Sequence, residues 1–330
     1  MIISRTPLRI SFAGGGSDLP AYYEHEPGMV VSTTIDKYIY INVNRKFDHK
    51  IRASYSVTEI VDTVAELKHE LIREALRMTG LDGGIEITSI SDIPSQGTGL
   101  GSSSTYTVGL LNALYAYMGQ HVGAERLARE ACRIEIEICG KPIGKQDQYI
   151  AAYGGLKATQ FNPDGSVFVD PIICDRRTRE ALQAGLLLFY TGLTRSADAI
   201  LQEQKANTES DAARRQALRR MVQLAADLRD ALCRNDLRSF GEVLHEGWLE
   251  KKKLAAGISN PAIDHWYEEA RRQGAIGGKI SGAGGGGFLL LYAPPERHKA
   301  IIRALPELRP VPFRFEPQGS KIIYVEESGS

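Results

Sequence analysis

Residues 95–109 read SQGTGLGSSSTYTVG. Gly97, Gly99 and Gly101 can turn backbone N–H groups inward and let a ligand come close. The apolar spacing that follows predicts a helix, whose N-terminus carries a partial positive charge. Such a site binds phosphate without a lysine. No lysine follows the glycines, so this is not a Walker A loop. The expected cradle is Gly97, Gly99, Leu100, Gly101, Ser102, Ser103 and Ser104. The serine hydroxyls can cap the helix, touch phosphate oxygens or ligate Mg²⁺. A plain capped helix behind a glycine-rich entry is the competing reading.

Two more glycine loops carry chemistry. TPLRISFAGGGSDLP (6–20) places Arg9 among apolar neighbours and ends in Gly15, Gly16, Ser17 and Asp18. A buried arginine is costly unless paired, so Arg9 should meet an anion, either a ligand or a structural carboxylate. KISGAGGGGFLLLY (279–292) contains Gly282, Ala283, Gly284 and Gly285. Gly282, Gly284 and Gly287 match GxGxxG, but this loop precedes a strand and does not open a helix, which excludes a dinucleotide fold. Close packing against another loop explains these glycines. Elsewhere the residue types are quiet. Cys132, Cys139, Cys174 and Cys233 form no CxxC pair and read as reduced core thiols. The histidines show no HxxxH spacing, and no GxSxG is present.

The elements that must hold these loops alternate. Leu8–Phe12, Met29–Thr34, Tyr38–Val43 and Ile85–Ile90 read as strands. Asp62–Met78, Ser104–Met118 and Ala124–Cys139 read as helices, the first closed by Gly80. YGGLKATQF and SVFVDPI suggest a hairpin. After Asp175 the pattern changes to a buried strand at LLLFY and long amphipathic helices over Ala212–Cys233 and Leu237–Ala256. Asn260–Pro261 opens another helix, to Arg272. A final strand falls near Ile322–Val325. These shifts divide the chain into residues 1–175 and 176–330. Hydrophobic content of 43%, charged content of 24% and a net charge of zero suit a globular protein with no field for nucleic acid or membrane. The opening MIISRTPLRI lacks a signal-peptide pattern, so a cytoplasmic place is expected.

The three loops, in this order, resemble the motifs of the GHMP kinase superfamily over residues 4–291. PSQGTGLGSSS looks like the family's phosphate loop. RISFAGGGSDLPAYY and VVSTTIDKYIYI resemble the form found in kinases of heptose phosphates. The resemblance implies an α+β, two-domain fold: an N-terminal domain like ribosomal protein S5 domain 2, an α+β C-terminal domain, and the site between them. It implies ATP and Mg²⁺ as cofactors. In IEIEICGKPIGKQDQY, Asp147 matches the family's catalytic aspartate and Glu135 its metal ligand, with Ser103 beside it. Glu137, two residues on, would face away.

On this resemblance, Asp147 takes a proton from the acceptor hydroxyl and Arg9 faces the transferring phosphoryl beside it. Gly15, Gly16, Ser17 and Asp18 meet the sugar, and the third loop packs under the first and closes the cleft. The expected reaction phosphorylates the anomeric hydroxyl of D-glycero-D-manno-heptose 7-phosphate, on the route to nucleotide-activated heptose for capsule or lipopolysaccharide. A phosphorylated acceptor needs a second cationic pocket. Arg195, just past a strand end, and the run Lys251, Lys252 and Lys253 beside Trp248 are the candidates, with Lys252, four residues from Trp248, on its helix face; a solvated helix face is the competing reading of the run. A fucokinase- or galactokinase-like enzyme of a free sugar, or a non-catalytic ATP- and sugar-sensing protein, stands as the alternative.

Overall fold

The computed structural model describes residues 1–94, 98–194 and 197–326. Two long strands organise the first sheet, β1 (Ile2–Ala13) and β2 (Gly28–Arg45). Almost every residue of β1 is buried, because elements cover both of its faces. The runs Met29–Thr34 and Tyr38–Val43 are parts of the one strand β2, which is long enough to pair twice. Further strands are β3 (Ile51–Ser54), β4 (Thr58–Val61), β5 (Ile85–Ser91), β6 (Lys157–Phe161) and β7 (Val167–Pro171). The start of β2 pairs with β6, from Gly28 opposite Phe161, and its end with β5, from Ile39 opposite Ser91. The β1–β2 register slips between Pro7 and Leu8, where proline offers no N–H to the ladder. Arg9 follows that slip, opposite Thr34.

The helix Ser102–Tyr117 lies on this sheet. Its close approach depends on Gly109, where a Cβ would stand 2.7 Å from Thr6 Oγ1. The stretch Ala124–Cys139 is not one α-helix. It is α-helical over Ala124–Cys132 and widens into a π-helix over Arg133–Ile138. The α-helix 62–78 shortens to Glu70–Thr79, with Gly80 closing it at φ 73°.

A second sheet holds β8 (Leu186–Tyr190), β9 (Gly277–Ile280), β10 (Phe288–Tyr292) and β11 (Arg309–Pro310), in the order β11-β8-β10-β9. The helices Phe240–Lys252 and Pro261–Arg272 pack on it, and the helix Ala212–Cys233 lies between Phe240–Lys252 and strands β1 and β2 of the first sheet. Trp248, Tyr267, Ile280 and Leu289 share its core. The two parts share one apolar cluster, in which Leu188 and Leu290 join Ile10 and Phe12, and Phe12 meets Phe240 in a T-shaped contact, centroids 5.2 Å apart. Of the cysteines, Cys132 and Cys174 are buried, Cys139 is half-buried and Cys233 is exposed.

Residues 176–330 do not stay together as one C-terminal unit. β12 (Phe315–Glu316) pairs with β2, and β13 (Lys321–Val325) pairs with β1. The Glu316 carbonyl accepts the Thr34 hydroxyl at 2.6 Å, and Gly154 lets Gln318 pack on the backbone. The edge of β1 therefore gains its partner from the far end of the sequence. Terminating the chain after Arg314 should lower the melting temperature by roughly 5–10 °C, a loss of a few kcal/mol for a chain of this size. Thermal unfolding followed by circular dichroism checks this, and an unchanged midpoint would contradict it.

Candidate functional site

The three glycine loops meet around one cleft of about 700 Å³. Arg9 enters it from β1, 3% exposed. Its Nε and Nη2 donate to the two carboxylate oxygens of Asp147 at 2.7 and 2.8 Å, a bidentate fork. Nη1 donates to the Gly99 carbonyl. Asp147 lies in the first turn of the helix Gln146–Tyr153 and keeps a fifth of its side chain open to the cleft. Gly101 has φ 78°, a left-handed conformation that favours glycine, and a Cβ there would stand a tight 3.2 Å from Asp147 Oδ2 and 3.3 Å from Arg9 Cγ.

Behind Gly101 the helix Ser102–Tyr117 begins with no side-chain cap. Its first N–H groups are therefore free to meet an anion. Thr98, Gly99, Gly101, Ser102, Ser103 and Ser104 line the cleft. Leu100 is buried, and its carbonyl accepts the Arg9 N–H at 3.1 Å, so it positions the loop from beneath.

Glu135 is fully buried beside this helix start, while Glu137 is exposed, as their opposite facing requires. Ser103 Oγ donates to Glu135 Oε1 at 2.6 Å, and Gln148 Nε2 to Oε2 at 2.7 Å. Burial pushes the Glu135 carboxyl up to about 7; those hydrogen bonds oppose the rise and the Asp147 charge adds to it. A desolvated carboxylate with hydroxyl neighbours at a phosphate loop is a hard oxygen donor set short of positive charge, which suits Mg²⁺. Among the described residues no cluster of three or more His, Cys, Asp or Glu forms a complete metal cage. A cation there would need phosphate oxygens to fill its shell.

Asp18 is buried and accepts from the Gly16 N–H at 2.9 Å and from Gln146 Nε2 at 3.1 Å. Burial raises its pKa. A second cavity, about 480 Å³, adjoins the cleft and shares Ser102 and Ser103 with it. Its wall includes the His69 ring, stacked on Tyr106 at 5.2 Å and met edge-on by Tyr55 at 4.5 Å. Ser91 Oγ, also on that wall, is buried without a partner among the described residues.

Comparison with known proteins fits this arrangement. The model for the GHMP kinases N terminal domain matches residues 60–155, and that for the GHMP kinases C terminal domain residues 228–310. A Campylobacter jejuni protein named D-glycero-alpha-D-manno-heptose 7-phosphate kinase is 31% identical, over 92% of this chain and 93% of its own. The chain belongs to the GHMP kinases. A crystal structure of a D-glycero-D-manno-heptose 1-phosphate kinase from Bacteroides thetaiotaomicron matches at TM-score 0.82 and 28% identity, covering 99% of this chain and 100% of that one. The Bacteroides fragilis L-fucokinase/L-fucose-1-P guanylyltransferase is 26% identical over 94% of this chain but only 37% of its own length. GHMP kinases are ATP-dependent, and this one is a phosphotransferase with a hydroxyl acceptor.

Several residues stand elsewhere than the sequence suggested for a GHMP kinase. Gly97 and Arg195 lie outside the described residues. Ser17 does not reach the cleft; its hydroxyl donates to the Gly14 carbonyl at 2.8 Å and accepts the Met29 N–H at 3.1 Å. Gly15 sits over Ser11 and is off the cleft wall, whereas Gly16 lines it. Lys252 points away, to Asp264 at 3.3 Å and over Trp248 at 5.9 Å. Lys251 enters the cleft in its place. Gly282, Ala283 and Gly284 line the cleft, while Gly285 donates its N–H to the Ile258 carbonyl at 2.9 Å. This third loop packs against the phosphate loop, not under the first: a Cβ on Gly282 would lie 2.5 Å from Gly99 Cα.

Sequence reasoning missed Gln148, Lys279 and Gln204, and it chose Lys252 over Lys251 within the lysine run. A signal existed for Lys251, because Phe240, Leu244, Trp248 and Lys251 form the buried stripe of their helix. Lys251 is 5% exposed; burial pushes its ammonium down to about 8, and the Arg9 charge pushes the same way. Between about 8 and its ordinary 10.5 the unfolded chain binds a proton that the folded one has lost. Stability from this group therefore rises with pH across that window. Lys251→Met should melt above wild type at pH 7.5, with the margin shrinking toward pH 10. Melting curves of both proteins at several pH values test this, and a margin independent of pH would refute it.

Proposed function

We propose that this protein transfers the γ-phosphoryl group of ATP to the anomeric hydroxyl of D-glycero-D-manno-heptose 7-phosphate, releasing ADP and the 1,7-bisphosphate. The observation that carries this reading is the Arg9–Asp147 fork, open to the cleft and set against the uncapped start of the helix Ser102–Tyr117. The names of the Campylobacter and Bacteroides heptose kinases support the acceptor class. In this reading the reaction feeds nucleotide-activated heptose synthesis and takes place in the cytoplasm. The division near residue 175 then separates a part that holds the nucleotide phosphates from one that closes over the acceptor.

Phosphoryl transfer needs mainly positioning and charge neutralisation. The phosphates lie on the N–H groups of the Gly99–Ser104 loop. The base enters the second cavity, between the His69–Tyr106 stack and the β5 edge, where Ser91 Oγ offers an unused hydrogen bond. Glu135 and Ser103 would hold Mg²⁺, which would supply positive charge to neutralise the phosphates. Asp147 accepts the proton of the attacking hydroxyl as the new O–P bond forms and the bond to the β-phosphate oxygen breaks. Arg9 holds Asp147 in register, and its unused N–H groups face the transferring phosphoryl. Asp18 and Gly16 bound the sugar.

The fucokinase relative favours a second reading, an unphosphorylated sugar as acceptor. A sensing protein without turnover would have no need of Arg9, Asp147 and Glu135 assembled together. Coupled ADP release with Mg-ATP, across the heptose 7-phosphate, mannose 6-phosphate, mannose, fucose and galactose, decides between them. Turnover of phosphorylated sugars is expected, and turnover of free sugars alone would replace the acceptor. Asp147→Asn should lower turnover by roughly 10²–10⁴ with nucleotide binding intact. An Asn variant near the wild-type rate would remove Asp147 as base.

A further inference from the structure

We infer that Lys251 and Gln204, backed by Lys279, receive the phosphate group that the acceptor already carries. This rests on the sugar-phosphate reading above and gives that phosphate its place. Lys251, at the end of the helix Phe240–Lys252, lines the cleft. Its Nζ donates to the Gly282 carbonyl at 2.5 Å, which leaves two N–H groups for a ligand. Gln204, from the helix Ala197–Ser210, is 1% exposed and lines the same cleft. Its Nε2 has no hydrogen-bond partner among the described residues. Lys279, in β9, is 4% exposed and within electrostatic reach of Lys251, Arg9 and Asp18.

Buried like charges are expensive unless an anion joins them. Other buried charges of the cleft have partners: Arg9 holds Asp147, and Asp18 holds Gln146 and Gly16. The two lysines make no salt bridge with a carboxylate among the described residues, and the Lys251 charge adds to the burial that pushes the Lys279 ammonium down. A dianionic phosphate supplies what this corner lacks.

The nucleotide phosphates already have the helix N-terminus and the Glu135–Ser103 pair, whereas Lys251 lies within electrostatic reach of Asp18 and Asp147, on the acceptor side assigned above. Gln204 stands against Gly16, where a Cβ would lie 2.4 Å from its Nε2. Gly16 and Asp18 form the wall assigned above to the sugar. A phosphate on the far end of that sugar would reach the lysines while its reacting hydroxyl stays at Asp147.

The test compares wild type, Lys251→Met, Lys279→Met and Gln204→Leu on two acceptors, D-glycero-D-manno-heptose 7-phosphate and the same heptose without phosphate. Losing a charge-assisted hydrogen bond costs about 10–100-fold in binding. K251M is expected to raise KM for the 7-phosphate by about that factor. The preference for the phosphorylated acceptor should fall with it, and KM for ATP should stay within about twofold. K279M and Q204L should move the same ratio less, and K251R should restore part of it. Methionine replaces a buried ammonium with an apolar chain of similar length, and melting curves confirm folding.

Equal loss of kcat on both acceptors would overturn the inference and assign Lys251 to the transferring phosphoryl. A preference unchanged in K251M and Q204L would also overturn it, with the sugar-phosphate reading left standing. A wild type that uses only the free heptose would remove that reading, and the receptor with it.

Discussion

The fork between Arg9 and Asp147 is the constraint around which the rest of the molecule is arranged. An arginine 3% exposed inside a strand is tolerable only when a carboxylate and a carbonyl satisfy it. The carboxylate arrives on a helix more than a hundred residues later, and the carbonyl on the phosphate loop. One guanidinium thus ties the first strand, the phosphate loop and the helix Gln146–Tyr153 into a fixed triangle. Gly101 sits at its centre, in a left-handed conformation where a side chain would be tight. Fixing the fork fixes the spacing between Asp147 and the glycine loop at Gly99.

The same triangle explains the widened turn at Arg133–Ile138. An extra residue per turn lets Glu135 aim at Ser103 while the chain continues into the loop that delivers Asp147. π-turns of this kind are rare and gather at functional sites. They leave a carboxylate in an apolar place, held by Gln148 on one side and Ser103 on the other. The group that most needs a counter-charge is therefore the one placed beside the helix N-terminus.

Much of this was legible in the residues. The glycine loops, Arg9 as a buried cation, and the helices over Ala212–Cys233 and Pro261–Arg272 follow from spacing and capping. Asp147 and Glu135 as a functional pair needed the family resemblance, because nothing local in GKQDQ marks its aspartate for chemistry and IEIE offers two glutamates. Two kinds of feature stayed hidden. The return of Phe315–Val325 to the first sheet is a non-local pairing that short β-runs do not announce. The choice of Lys251 over Lys252 depends on a helix phase shift of one residue, and three adjacent lysines offer no contrast to set that phase. The buried stripe through Leu244 and Trp248 does set it, once the stripe is given precedence over the charges. Ser17 was misplaced for a related reason: a serine after glycines serves a tight turn as readily as a ligand.

The return of the last strands has a mechanical side. The chain leaves the first sheet after β7, builds the second, and re-enters at β12. The second body is joined to the first by two chain crossings, one before β8 and one after β11. Leu188, Leu290, Phe240 and Leu244 also enter the same apolar cluster as Ile10 and Phe12. Cutting either crossing alone would leave the two bodies covalently joined and packed on that shared core.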